Sequence, residues 1–186
     1  MATRVDGKFE RSARMTPANL ITMLRLLATP VMAVLILRFG ATWLNLLVWA
    51  ALASTDFVDG WVARKQGATT SGAFLDPLAD KFLVLGALAA LAVNGAIGWL
   101  PIVLIAGREV AISAYRSFVA RHGVSVPARP MAKAKTATQD AAIGLLLLPP
   151  LVHHGWIGRD VLWVAVALAL ASAAQYLLDS RQTTPA

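Results

Sequence analysis

Four aspartates, Asp56, Asp59, Asp76 and Asp80, stand inside stretches of this chain that are otherwise apolar enough to lie in a membrane. A carboxylate at such depth is costly to desolvate and is kept, as a rule, because it does chemistry, so these four define the site hypothesis. Their spacing constrains the fold. Asp56 and Asp59 are three residues apart and Asp76 and Asp80 four, the separations that stack side chains on one face of a helix. Residues 66–71 between the pairs are polar and rich in Gly and Thr, which predicts a turn joining two antiparallel helices whose acidic edges meet. Four carboxylates facing one another at low dielectric repel strongly unless they are protonated or bridged by cations. Hard divalent ions with oxygen ligands, Mg²⁺ or Mn²⁺, are the expected bridge, with a pair of ions held among Asp56, Asp59, Asp76 and Asp80.

The rest of the chain fits a membrane setting. Hydrophobic residues make up 58% of its 186 positions, well above a soluble domain, and the length suits one bundle rather than several domains. Apolar runs at about 20–39, 43–65, 72–93, 99–121, 136–152 and 160–178 predict six membrane-spanning helices. The expected organisation is a basic juxtamembrane arm over 1–19, a six-helix domain over 20–179 and a tail over 180–186. Thr16 and Pro17 supply an N-cap and a first-position proline for the first helix. That run is too long for a signal-peptide core, so it reads as a retained span. Asn94, Gly95 and Gly98 predict one turn, and His153, His154, Gly155 and Gly158 another. The formal charge of +7 points to an anionic membrane surface or phosphate ligands, and nothing resembles a nucleic-acid module. The absence of cysteine excludes a disulfide framework, a thiolate metal site and a cysteine nucleophile.

Lys and Arg gather on one side: the first arm, Arg64, Lys65, Arg121, Arg129, Lys133, Lys135 and Arg181, against only Arg38 and Arg159 opposite. By the positive-inside rule both termini are cytoplasmic in a multi-pass inner-membrane protein, and the polar active-site cavity opens to the cytoplasm. Trp43, Trp99 and Trp156 sit where an interfacial aromatic belt belongs, and the two histidines lie on the side away from the aspartates.

Gly60 and Gly72 flank the acidic edges, where a bulky side chain would block a ligand, and Ala63 with Arg64 continues the first face by one turn. A small-walled pocket with metals and a guanidinium suits a diphosphate. The complete pattern, D-x-x-D-G-x-x-A-R followed after seven residues by G-x-x-x-D-x-x-x-D, resembles the signature of the CDP-alcohol phosphatidyltransferase family at every fixed position. The resemblance implies a membrane enzyme that moves a phosphatidyl group from CDP-diacylglycerol onto an alcohol and releases CMP. It also implies a homodimer, a nucleotide site near the Asn19, Thr22 and Arg25 stripe, and a base role for Asp80, which stays a candidate metal ligand as well. Helix packing is the other reading of that stripe.

Arg108, Arg116 and Lys135 are three cations near the acidic site and suit the phosphate of a phosphorylated acceptor, although Arg108 with Glu109 also reads as a buried ion pair. GREVAISAYR over 107–116 and KAKT over 133–136 look like segments of the phosphatidylglycerophosphate synthase branch, whose acceptor is sn-glycerol 3-phosphate. Cardiolipin synthase and phosphatidylinositol-phosphate synthase are the rival branches. A cation channel or carrier is the remote alternative, since intramembrane carboxylates also coordinate transported ions. The carboxylates cluster toward one side with no matching acidic half, which speaks against it.

Overall fold

Pro17 opens the first helix as the composition predicts, because its fixed φ suits a first helical turn and its missing N–H is not needed there. A computed structural model describes the backbone of residues 17–66, 72–121 and 130–182, and the side chains of 23–55, 79, 81–115 and 134–175. Within these residues the chain is all-helical. The order is α1 (Pro17–Phe39), α2 (Trp43–Gln66), α3 (Gly72–Val93), α4 (Trp99–Arg121), α5 (Pro130–Leu147), a short 3₁₀ turn (Pro149–His154) and α6 (Trp156–Gln182).

Three tight connections lie at one end of the bundle, and the backbone shows why the chain reverses there. Gly40 takes φ +60 and donates its N–H to the Ile36 carbonyl at 2.8 Å, a left-handed C-cap. Gly95 takes φ +75, with Gly95 N–H to Ala92 O at 2.9 Å and Ala96 N–H to Leu91 O at 3.0 Å, the paired bonds of a Schellman motif. Side chains complete the caps. Asn45 Nδ2 donates to the carbonyls of Leu35 (3.0 Å) and Gly40 (2.7 Å), and Asn94 Nδ2 donates to Ile36 O at 2.6 Å. These bonds tie the end of α1 to α2 and to the turn after α3.

Inside, α1 packs most extensively on α3, and α5 on α6. Helix α1 also contacts α2, while α3 contacts α4 and α5. Gly86 explains the close approach of α1 and α3: a Cβ there would stand 3.1 Å from Thr29 Cγ2. The small-residue stretch from Gly86 to Ala92 therefore meets a helix of its own chain. The core around it includes Met32, Ile36, Leu83, Leu88, Leu91, Ile105, Ile143, Leu147 and Leu162, each at most 2% exposed. Trp49 joins it with its indole N–H donated to the Asp140 carbonyl at 3.1 Å, which ties α2 to α5.

The outer faces are apolar as well. Leu27, Leu47, Val103 and Val110 are 69%, 66%, 61% and 70% exposed, a surface suited to hydrocarbon. Trp43, Trp99 and Trp156 are all exposed at the starts of their helices. Among the described residues, one stretch, Trp156–Gln175, is long and apolar enough by itself to cross a membrane. Shorter apolar stretches run over Trp43–Thr55 and Lys81–Val93.

Two expectations need correcting. The fifth helix begins at Pro130, not near Thr136, so Lys133 and Lys135 are helical rather than in a basic loop; proline at the first position followed by Met, Ala and Lys nucleates the helix early. It ends at Leu147, because Pro149 and Pro150 cannot continue an α-helix, and His153 and His154 close a 3₁₀ turn. The sixth helix starts at Trp156, which moves Gly158 out of the predicted turn and into α6. There it is a packing glycine: a Cβ at Gly158 would lie 2.6 Å from Leu146 Cγ. The turn predicted over 66–71 is bounded by Gln66, the last residue of α2; residues 67–71 lie outside the described residues, as do the arm through Thr16 and the loop over 122–129.

Candidate active site

The signature residues all fall on helical backbone. Asp56, Asp59, Gly60, Ala63 and Arg64 fall in the second half of α2, Gly72 is the first residue of α3, and Asp76 and Asp80 follow on the same helix. Because both segments are helical, the three- and four-residue spacings put each aspartate pair along one edge. The side chains of these residues, with those of Asn19, Thr22 and Arg116, lie outside the described residues. As hard oxygen donors, two on each of two helices, the aspartates fit a divalent ion by their chemistry.

Just before Asp56, Thr55 meets a buried cation from α1. Arg25 on α1 is 1% exposed and donates from Nη2 to Thr55 Oγ1 at 3.1 Å, one residue before Asp56. The Thr55 hydroxyl in turn donates to Leu52 O at 2.6 Å. Of the predicted nucleotide stripe, then, Arg25 is placed against the start of the acidic edge on α2.

Around Glu109 on α4 a charged cluster joins four helices. Its Oε1 accepts from Arg108 Nη1 at 2.8 Å and from Lys135 Nζ on α5, and its Oε2 lies 3.3 Å from Lys81 Nζ on α3. Lys81 also donates to Ser113 Oγ on α4 at 2.5 Å. Arg108 reaches α6, with Nε to Ala169 O at 3.2 Å and Nη2 to Ser172 Oγ at 2.7 Å. Arg108, Glu109, Lys135 and Ser172 are all buried. Buried charges are tolerated when paired and hydrogen-bonded, as Arg108 is on every side. The structure thus unites two of the three predicted acceptor cations, Arg108 and Lys135, through one carboxylate.

Beside this cluster is a cavity of about 110 Å³ walled by Lys81, Glu109, Lys135, Thr136 and Gln139, with Val84, Leu85 and Ile105 as its apolar part. Lys81 and Gln139 were not among the residues singled out from sequence. Signals existed for both: Lys81 directly follows Asp80 on an apolar helix, and Gln139 lies four residues beyond Lys135, on the same helical face. A second, wider groove between α2 and α5 is lined by Leu46, Trp49, Ala50, Ser54 and Gly144 among others. His153 and His154 are exposed at the opposite end, in the turn before α6.

Residues 15–171 match the sequence model of the CDP-alcohol phosphatidyltransferases. A Rickettsia bellii protein named CDP-diacylglycerol–glycerol-3-phosphate 3-phosphatidyltransferase is 35% identical over 168 residues, covering 85% of this chain and 91% of its own. A Pseudomonas fluorescens protein of the same name is 38% identical over 170 residues, 86% of this chain and 87% of its own. A Mycobacterium tuberculosis protein named probable phosphatidylglycerophosphate synthase is 41% identical over 138 residues, 71% of this chain and 66% of its own. With the signature complete on α2 and α3 and the match running through all six α-helices, the chain belongs to the CDP-alcohol phosphatidyltransferase family.

Proposed function

We propose that this protein transfers the phosphatidyl group of CDP-diacylglycerol to sn-glycerol 3-phosphate, forming phosphatidylglycerophosphate and CMP in phospholipid biosynthesis. The observation that carries the reading is the coincidence of a complete family signature with relatives named for this transfer over more than four-fifths of the chain. The buried excess of cations around Glu109 supports the acceptor assignment, since a phosphorylated alcohol needs such a site and a neutral one does not.

In this reading six helices span the inner membrane with both termini in the cytoplasm, and the acidic edges of α2 and α3 open to the same side as the basic flanks. The apolar outer faces of the helices support the membrane setting. Mg²⁺ or Mn²⁺, held by Asp56, Asp59, Asp76 and Asp80, would supply charge neutralisation for the diphosphate and the departing CMP. Gly60, Ala63, Arg64 and Gly72, with Asn19, Thr22 and Arg25, form the nucleotide pocket. Asp80 takes the proton of the acceptor hydroxyl as its oxygen bonds to phosphorus and the bond to the CMP oxygen breaks. Arg108, Arg116 and Lys135 serve the acceptor phosphate, Arg108 through the Glu109 cluster. The functional unit is a homodimer.

The test is purified protein with CDP-diacylglycerol, Mg²⁺ or Mn²⁺ and a panel of alcohols, with CMP release as the readout. Release that requires both metal and glycerol 3-phosphate is expected. Release with phosphatidylglycerol or inositol phosphate alone would move the protein to another branch of the family. Cation flux in liposomes without lipid turnover would overturn the transferase reading.

A further inference from the structure

The donors that reach the cavity beside Glu109 differ from those that the charge pattern singles out. Arg108 directs its guanidinium to Glu109, Ser172 and the Ala169 carbonyl, and it does not line the cavity. Lys81, Lys135 and Gln139 do. Gln139 is 3% exposed, and its amide nitrogen, Nε2, has no acceptor in the protein. A buried amide donor without an acceptor is destabilising, so such a group points to a ligand or water that completes it. Lys135 and Gln139 are one helical turn apart on α5 and flank the same opening.

Charge narrows the ligand class. In the contact network of Glu109, the buried cations Arg108 and Lys135 and the partly exposed Lys81 face a single carboxylate, and this excess of positive charge favours an anionic ligand. Size narrows it further. The cavity's 110 Å³ is several times the roughly 10–15 Å³ that a single water needs on the same measure, enough for the phosphate end of a small acceptor.

We propose that Gln139 is a specificity-determining residue of the acceptor site, its Nε2 donating to a phosphate oxygen of a small phosphorylated alcohol held against Lys81 and Lys135. Arg108 is then a positioning residue that anchors Glu109 and α6. This inference rests on the transferase reading above and assigns the acceptor contacts within it.

The experiment measures CMP release by the full-length protein in lipid–detergent micelles, varying glycerol 3-phosphate at saturating CDP-diacylglycerol and the reverse, for wild type, Gln139→Leu and Gln139→Glu. Gln139→Leu should raise the KM for glycerol 3-phosphate by about tenfold, the loss of one hydrogen bond to a charged group. The KM for CDP-diacylglycerol should stay put, and Tm should not fall, because leucine removes a donor that has no protein partner. Gln139→Glu sets a negative charge against the phosphate and should raise the acceptor KM further. An unchanged acceptor KM in the leucine variant overturns the inference, as does a joint change in both KM values with a lower Tm. If the leucine variant does not fold, an unchanged acceptor KM in Gln139→Glu overturns it equally. A wild type that turns over with glycerol 3-phosphate while the variants keep its KM removes this inference alone; a wild type that ignores glycerol 3-phosphate removes the transferase assignment to that acceptor along with it.

Discussion

Two regions of the bundle are built on different plans. At the end of the short turns, neutral amides finish the helices: Asn45 and Asn94 donate to the last carbonyls of α1 and its turn, and Gly40 and Gly95 supply the left-handed caps. Near the middle of α3, α4 and α5, cations outnumber the carboxylate they share, with Lys81, Arg108 and Lys135 around Glu109 and the Gln139 amide nitrogen without an acceptor. The first plan ties helix ends together within the chain, although Asn45 Oδ1 is itself buried without a partner. The second sets three cations around one carboxylate, an imbalance of charge that the capped region does not have.

Breaking the charged region should cost function first. Asn at Asp56, Asp59 or Asp76 keeps the size and removes the charge that holds a divalent ion, so transfer should fall by on the order of a hundredfold or more while the protein still folds. Near-wild-type turnover at limiting Mg²⁺ in any of the three would remove that residue from the metal site. Asp80→Asn should lower kcat by about 10²- to 10⁴-fold while nucleotide binding holds. If binding falls in parallel with rate, Asp80 acts mainly as a ligand.

The next effects sharpen the comparison. Glu109→Ala leaves Lys81, Arg108 and Lys135 without their shared carboxylate, and breaking a buried pair in this way should cost about 3–5 kcal/mol of stability, read as a lower Tm. An unchanged Tm would mean that the cluster is better solvated than its burial indicates. Arg116→Gln should raise the KM for glycerol 3-phosphate ten- to a hundredfold, for about 1.5–3 kcal/mol of lost charge-assisted contact, with the KM for CDP-diacylglycerol steady. Smallest is Asn45→Ala in the capped region: two carbonyls lose their donor, stability falls by roughly 1–2 kcal/mol, and both KM values stay where they are. A shift in either KM would show that the two regions are coupled.

What the sequence determined by itself is whatever repeats at short range. Helix limits at Trp43, Gly72, Val93, Trp99 and Arg121 follow from apolar runs and from Gly, Asn and Pro punctuation, and the expected limits agree there. The acidic edges of α2 and α3 are legible for the same reason, because spacings of three and four carry their geometry within one helix. The family was legible because its signature combines such spacings at fixed identities. Tertiary structure decided the rest. That Gly158 packs against Leu146 depends on how α6 lies on α5, and no local pattern separates a packing glycine from a turn glycine. Arg108 and Lys135 looked equivalent as cations, yet one is consumed by Ser172 and the Ala169 carbonyl on α6 and the other faces a cavity. Lys81 and Gln139 enter the site only because α3, α4 and α5 converge there, and convergence between residues so far apart in the chain is a property of packing, which local spacing does not encode.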